Sequence, residues 1–533
     1  MSELPFFDAN CTLGRHLKLQ PGGLHTAEQL LAEMDHYGIA EALVLDCLSR
    51  ENHPEDGNRR ILQTTALHPR LHPAWTALPA AGDDEQPPPE EFLRQLRQHR
   101  VAALFLLPRQ YQFSLADWCV DPFLAPLAEA KVPVFINYNE AGPTGPRGWD
   151  ETDWEEVVAL CRRWPSLPVV VGEWRIRRAQ RMIYRALDTC PNLHLELSGY
   201  WLHRGIEYLS SHWGAQRLLF GSNWPALGQH SSLTTLTTAQ ISEADQRLIA
   251  GDNLRRLSSW AGPRPATAVT FPAAPDEFVR FGRTGVRPAT MKFTDCHGHL
   301  GGRASHYHLP NCTLDGIVAD MDRLGVEQIC AFAFAGINSD EEFGNDVVAE
   351  AVRRYPERFI GFTQLNPHRG PDGMRAELER GAAMGLRGVK LIPHYQGYPP
   401  EGPHIDAACQ WAHERRQLIL NHHWGSAAQL ERLITTYPDA CYFTGHTTTE
   451  YAALMRRFPN LYVCSCPLLG PRTCEEVVAA IGADRLLFGS DLQDLPIAWG
   501  LGPILFARLP EGDKRLILGE NLRRILGQYS LRA

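Results

Sequence analysis

The chain has 533 residues, of which 44% are hydrophobic and 21% charged, and its formal net charge is -9 at pH 7. This composition is that of a globular protein, with no basic excess for binding nucleic acid. The length predicts two domains of roughly 250 residues. No signal-peptide pattern opens the chain and no apolar run could span a bilayer, so no membrane partner is expected. The 13 cysteines include no CxxC pair and are typical of reduced thiols, which predicts a cytoplasmic protein.

Four short segments occur twice along the chain. The pairs are 7–14 (FDANCTLG) with 294–301 (TDCHGHLG), 57–58 with 344–345 (GN), 217–223 (RLLFGSN) with 485–491 (RLLFGSD), and 251–257 (GDNLRRL) with 519–525 (GENLRRI). Their common order indicates a duplicated domain. Between the copies, the proline-rich stretch 263–290 lacks sustained periodicity and predicts a linker. The expected domains are therefore residues 1–262 and 291–533.

In the second copy, short apolar runs alternate with amphipathic stretches. The predicted strands are Phe293–Cys296, Gln328–Ala333, Phe359–Gln364, Gly388–Ile392, Leu418–Asn421, Cys441–Thr444, Leu461–Cys464 and Arg485–Phe488. The predicted helices are Leu314–Leu324, Asp346–Tyr355, Met374–Met384, Asp406–Arg416, Ala427–Tyr437 and Thr473–Ile481. This alternation implies an α/β protein with parallel sheets, and eight strands in about 240 residues predict a (β/α)8 TIM-like barrel in each copy. An open doubly wound sheet usually has a glycine-rich phosphate-binding turn, and neither GxGxxG nor GxxxxGK occurs.

Polar residues follow the predicted strands of the second copy, at the end where barrel enzymes carry their chemistry. Strand one ends in His297-Gly298-His299, and alternate residues of a strand point to one face. The later strand ends add Lys390, His422 or His423, His446 and Asp491. Each residue alone could be structural, because a strand-end histidine can bond a carbonyl and an aspartate can cap a helix. Together, imidazoles and a carboxylate predict a metal site suited to zinc, with manganese or iron as alternatives.

The order of these motifs resembles the amidohydrolase superfamily. Segments 355–362 (YPERFIGF), 388–391 (GVKL) and 519–526 (GENLRRIL) look most like its amidohydrolase-related branch, which includes aminocarboxymuconate-semialdehyde decarboxylase, aryl-acid decarboxylases and dicarboxylate lactonases. The resemblance implies a set of metal ligands: His297, His299, His422 and Asp491. His422 is preferred to His423 because it keeps register with residues 133–137 of the first copy.

The resemblance leaves two roles open. His446 would polarise the substrate or bind the metal. Lys390 would be carboxylated and bridge two metals, or be structural. Candidate substrate contacts lie in the loops after strands one, four and five, where an aromatic and cationic lining would suit a flat or acidic small molecule: Arg303, His306, Tyr307, His308, His394, Tyr395, His423 and Trp424. Cys464-Ser465-Cys466 is a further pair that could hold a metal.

The expected activity follows from metal chemistry. A divalent cation with an open position lowers the pKa of its bound water from about 16 toward 7. We therefore expect a metal-dependent hydrolase of an amide, ester or lactone, in which Asp491 takes the water's proton and His446 polarises the carbonyl. A non-oxidative decarboxylase on the same residues is the alternative, and a non-catalytic scaffold is the second alternative.

The first copy lacks the predicted ligands. At their positions stand Asn10, Thr12, Phe105, Asn137, Glu173 and Asn223. Residues 1–262 are therefore expected to be a pseudo-enzyme barrel, although Glu173, Asp8 and Asp46 leave open a chemistry of its own. Family members often pair as dimers, so the tandem is expected to form an internal pseudo-dimer, with further homo-oligomerisation possible. In that arrangement Arg175, Arg177 or Arg178 would reach the second barrel's pocket and bind a carboxylate.

Overall fold

The structure is a computed structural model that describes residues 4–17, 22–82, 84–138, 152–305, 307–309 and 312–529. The chain divides into two compact units, Met1–Pro275 with Gly282–Gly285, and Asp276–Phe281 with Val286–Ala533. Each unit contains one eight-stranded sheet whose strands are hydrogen-bonded in chain order. All the strand pairs are parallel. The predicted fold of two tandem (β/α)8 barrels is confirmed.

The strands of the first barrel, β1 to β8, are Phe6–Leu13, Ile39–Asp46, Leu71–Ala77, Ala103–Leu106, Val134–Ile136, Val169–Val171, Leu193–Glu196 and Leu218–Leu219. Those of the second barrel, β9 to β16, are Phe293–Leu300, Val326–Ala333, Phe359–Gln364, Gly388–Leu391, Leu418–Asn421, Cys441–Thr444, Leu461–Cys464 and Leu486–Leu487. Backbone bonds close both rings: Ala9 N–H donates to the Phe220 carbonyl at 3.0 Å, and Cys296 N–H to the Phe488 carbonyl at 2.8 Å.

Helices follow the strands around each barrel. In the first unit they are Ala27–Tyr37, Leu48–Glu51, Pro54–Leu67, Pro89–Gln98, Asp117–Glu129, Trp154–Arg163, Gln180–Thr189, Gly205–Trp213, Gln229–Thr237, Glu243–Arg247 and Asn253–Ser258. In the second barrel they are Leu314–Leu324, Phe334–Asn338, Glu341–Arg354, Gly370–Ala383, Ile405–Glu414, Ala427–Thr436, Ala452–Met455, Thr473–Ile481, Ile497–Leu505, Glu511–Arg515 and Asn521–Gln528. Within the described residues, no helix has both the length and the apolar character that a membrane crossing requires.

Several element ends are shifted by a few residues, such as Val326 in place of Gln328 at the start of β10, and two differences concern the site and the linker. Strand one of the second copy does not stop at Cys296 but continues to Leu300, so both histidines lie within it. The predicted irregular linker contains the helix Glu277–Thr284. That helix is about two turns long, too short for a periodic pattern to stand out, and it buries Phe278, Val279 and Phe281.

The repeated sequence motifs form the same structural braces in both barrels. The Asn58 side chain exchanges two hydrogen bonds of 2.9 Å with the backbone of Thr76, and Asn345 does the same with Gln364. The Asn253 amide donates to two carbonyls at the start of β8, as Asn521 does at β16. The repeated asparagines therefore have a structural role in both barrels, independent of any chemistry.

Candidate metal centre

His297 and His299 sit at the carboxyl end of β9, where the strand is irregular. Asp295 pairs with Ile329 but Gly298 pairs with Ala331, so β9 has one more residue than β10 between these points. A bulge of this kind re-aims side chains next to a site. The Asp295 carboxylate stabilises the bulge by accepting the N–H groups of His297 at 2.9 Å and Ser490 at 3.0 Å.

Asp491 faces the two histidines from the turn after β16. Its Oδ1 lies 3.2 Å from His299 Nδ1 and 3.6 Å from His297 Nε2. Asp491 adopts a left-handed backbone conformation with φ of 60°, and its counterpart Asn223 has a φ of 58°. Aspartate and asparagine are the non-glycine residues that best tolerate this region. The backbone therefore aims this side chain the same way in both barrels.

The histidines are held by packing. The His299 ring stacks on Phe334 with centroids 4.9 Å apart and meets the edge of Phe332 at 4.7 Å. Lys390 Nζ lies 4.1 Å from the Phe332 ring centroid, is buried, and has no hydrogen-bond partner among the described residues. Phe334 follows β10 and was not among the predicted site residues, because nothing in its sequence surroundings distinguishes it from a core residue.

Strands β13 to β15 complete the ring. The His422 and His446 rings are 3.8 Å apart, and His446 is 6.1 Å from His297. Cys464 Sγ lies 3.6 Å from His297 Nδ1. Cys466 groups with His446 and Asp491 closely enough to share one ion. Cys464 and Cys466 thus lie in the site. Their position at the end of β15 is the sequence signal that could have identified them as site residues.

The two neighbouring histidines after β13 point in different directions. His422 is next to His446, whereas His423 is exposed, lies 4.0 Å from Glu450, and its Nδ1 accepts the Gly425 N–H. Trp424 is 0% exposed and donates its indole N–H to the Phe443 carbonyl at 2.9 Å. Trp424 is therefore a core residue, which corrects its prediction as a substrate contact. A strand-end aromatic cannot be assigned to core or pocket until the packing is known.

The other predicted substrate contacts lie in the loops after β9 and β12. His394 and Tyr395 place their ring centroids 4.6 and 5.1 Å from that of His422, and Tyr395 is 61% exposed. Arg303 and other loop residues line a cavity of about 410 Å³ that also includes Phe334. Three more predicted contacts belong to the loop after β9. His308 also lines this cavity, and the Tyr307 hydroxyl donates a hydrogen bond to Asp494. His306 lies outside the described residues.

Burial dominates the electrostatics of the site. It lowers the pKa of His299 to about 3, lowers the pKa of His297 and His422, and lowers that of Lys390 to about 7. Burial also raises the pKa of Asp295 to about 7. A neutral imidazole keeps a lone pair available, which is the form that binds metals.

The residues present fit a divalent cation. One ligand atom each from His297, His299 and Asp491 lies within 4.8 Å of the others. The buried Nδ1 atom of His422 has no hydrogen-bond partner among the described residues, although buried polar atoms are normally paired. Two imidazole nitrogens and a carboxylate oxygen are a donor set that suits zinc, manganese or iron.

The sequence matches the amidohydrolase family model twice, over residues 7–257 and 294–528. The chain belongs to the amidohydrolase family. No curated protein matches it. Similar solved structures include 2,6-dihydroxybenzoate decarboxylase from Rhizobium (16% identity, 45% of this chain, 100% of that chain, TM-score 0.36) and 5-carboxyvanillate decarboxylase from Sphingomonas paucimobilis (14%, 44%, 99%, 0.33). A third is 5-carboxyvanillate decarboxylase from Novosphingobium aromaticivorans, whose crystal contains manganese (14%, 45%, 96%, 0.36).

The first amidohydrolase barrel fills the corresponding positions differently. Phe105, in place of Lys390, stacks on Phe135 with centroids 4.8 Å apart. Asn10 donates to Glu196 at 3.1 Å, and Glu173 accepts the Thr152 N–H at 2.8 Å. The described part of this barrel contains no group of three His, Cys, Asp or Glu residues placed to share an ion.

The arginines predicted to act on the second barrel follow β6. Arg177 lies in the short 3-10 turn Ile176–Ala179 and is buried, with its guanidinium 5.9 Å from the Trp201 ring centroid. A role for Arg175, Arg177 or Arg178 toward the second barrel stays a prediction.

Proposed function

We propose that the second barrel is a metal-dependent hydrolase of a small amide, ester or lactone. The observation that carries this proposal is the convergence of His297, His299 and Asp491 on one point at the carboxyl end of the barrel. His422 is the fourth candidate ligand, through a buried nitrogen that has no other partner among the described residues. The candidate ions are Zn²⁺, Mn²⁺ and Fe²⁺, and each would acidify water and polarise a carbonyl when bound.

The chain's own groups divide the remaining work. Asp491 Oδ1 is placed to accept a proton from the attacking water and return it to the leaving group. His446, whose ring is 3.8 Å from that of His422, would donate a hydrogen bond to the oxygen on which charge develops. His394 and Tyr395, whose rings lie beside His422, and Arg303 in the loop after β9 are the groups that would orient a substrate. Phe332 and Phe334 pack against the His299 ring and would keep water from that side of it.

Hydrolysis is to be separated from decarboxylation by product analysis. The purified full chain, loaded with each candidate ion, is incubated with panels of lactones, esters, amides and aryl carboxylic acids. Our proposal predicts hydrolysis products and no carbon dioxide. Release of carbon dioxide from an acid, abolished by Asp491→Asn, would replace the hydrolase assignment with a decarboxylase. No turnover by any loaded form, together with failure to retain an ion, would favour a scaffold.

The first barrel offers a matched control for these assays. We propose that it is a pseudo-enzyme that does not hold this metal and that it forms an internal pseudo-dimer with the second barrel. Asn223→Gly changes the counterpart of Asp491 while keeping the left-handed backbone accessible. Activity should therefore survive Asn223→Gly and be lost in Asp491→Asn. Equal loss in both variants would contradict the assignment of the chemistry to the second barrel.

A further inference from the structure

A buried arginine lies at the carboxyl end of the first barrel. Arg50 belongs to the short helix Leu48–Glu51, which follows β2, and is 6% exposed. Its Nη1 donates to the Thr12 hydroxyl at 3.2 Å. Thr12 is the counterpart of His299, so Arg50 points at the place where the other barrel builds its candidate metal centre.

Arg50 lacks the partners that a buried guanidinium normally has. Its Nε is buried without a hydrogen bond, and no carboxylate lies within ion-pair distance in the part of the chain that the structure describes. Glu51 is the nearest acidic neighbour in sequence, but its two oxygens are taken by His16 Nδ1 at 2.9 Å and Leu17 N–H at 3.0 Å. Asp46 is likewise engaged by Arg60.

A buried guanidinium without a carboxylate partner lowers the stability of the fold unless a ligand binds to it. A buried cation without a counter-ion loses its hydration and gains no ion pair in return. Burial also lowers the pKa of Arg50, but a guanidinium stays protonated in proteins. The Thr12 hydroxyl accepts from Arg50 and retains its own proton for donation. The site thus presents charged and neutral donors together, which is what an oxyanion requires.

We propose that the first barrel binds a small organic carboxylate through the Arg50 guanidinium and the Thr12 hydroxyl. A planar carboxylate matches the fork of one guanidinium. A phosphate dianion fits less well, because the other strand ends of this barrel carry the carboxyl groups of Asp46, Glu173 and Glu196. The first barrel would then be a ligand-binding domain that has kept its fold and exchanged a metal centre for an anion site.

Titration calorimetry on the full chain tests this proposal with benzoate, acetate and inorganic phosphate as probes. Wild type should bind a carboxylate saturably, and Arg50→Met should weaken that binding at least tenfold. Arg59→Met is the control, because Arg59 is 62% exposed and pairs with Glu55. Any binding of the probes by the second barrel is common to all variants and cancels in the comparison.

Two further variants separate binding from a structural role. Arg50→Lys keeps the charge but loses the fork, and Thr12→Val keeps the shape but loses the hydroxyl; each should weaken carboxylate binding severalfold. Without ligand, Arg50→Met should melt at the same temperature as wild type or higher, since it removes a buried charge that has no carboxylate at ion-pair distance among the described residues. Equal carboxylate affinity in wild type, Arg50→Met and Thr12→Val would overturn the proposal. Tighter binding of phosphate than of benzoate would overturn the carboxylate assignment.

Discussion

Replacing Glu196 with glutamine should change how the stability of the first barrel depends on pH. Glu196 ends β7 and is 1% exposed. It accepts hydrogen bonds from the Ser198 N–H at 2.6 Å, the Ser198 hydroxyl at 2.7 Å and the Asn10 amide at 3.1 Å. Burial outweighs these donors and raises its pKa from 4.5 to about 7. The carboxyl occupies the place that Cys464 has in the second barrel.

The direction of the effect follows from proton binding. Between pH 4.5 and about 7 the folded chain keeps a proton on Glu196 that the unfolded chain has lost, so the free energy of unfolding falls as the pH rises through this window. The change in pKa corresponds to about 3 kcal/mol, fully lost by about pH 8. Glutamine does not titrate. Glu196→Gln should therefore match wild type near pH 5 and exceed its stability near pH 8.

Scanning calorimetry of the full chain across pH 5 to 8 measures this difference. A stabilisation of about 3 kcal/mol in a domain of this size corresponds to roughly 6 to 12 °C in melting temperature. Titrations of buried groups that do not interact with Glu196, such as Asp295 in the second barrel, occur in both proteins and cancel. Glu55→Gln serves as the control, because that side chain is 61% exposed. A stability difference between wild type and Glu196→Gln that stays constant with pH would show that folding does not raise the pKa of Glu196.

Three further predictions concern the second barrel. Asp491→Asn should lower metal affinity at least 100-fold, as measured by metal titration. It should change the free energy of unfolding by less than about 1 kcal/mol, because Asn223 holds the same backbone conformation in the first barrel. Calorimetry measures that stability, and an unfolded variant would contradict the prediction. His422→Ala should weaken metal binding at least tenfold, whereas His423→Ala should leave it unchanged. Equal effects of the two substitutions in a metal-binding assay would contradict the choice of His422 as the ligand. Cys466→Ser should alter the absorption spectrum of the Co²⁺-substituted protein only if the thiolate is a ligand, and our assignment of nitrogen and carboxylate ligands predicts an unchanged spectrum.

The fold was predictable because its signals are local and occur twice. Four strands of the second barrel have the predicted bounds, among them Leu418–Asn421 and Cys441–Thr444. The repeated asparagines each fix a strand end through backbone hydrogen bonds, which is why these short motifs survive in both copies. The helix Glu277–Thr284 is too short to give a periodic signal, so the sequence pattern did not reveal it.

The site was predictable where the barrel topology alone decides position. His297, His299 and Asp491 end strands that are neighbours in a closed ring, so their meeting follows from the fold. Phe334 and Trp424 show the limit of this reasoning. Both are aromatic residues just beyond a strand, yet one stacks on His299 and the other packs into the core. Side-chain direction after a strand depends on loop geometry, which residue order does not specify.

We expect the second barrel alone to hold a metal, through the histidines of β9. The most direct test is the metal content of the full chain after loading with Zn²⁺, Mn²⁺ or Fe²⁺, measured by plasma mass spectrometry. The matched variant is His297→Asn with His299→Thr, which copies residues that the first barrel already accommodates. Wild type should retain about one ion per chain, and the double variant none. An ion-free wild type, or equal metal content in the folded double variant, would show that these histidines do not hold a metal.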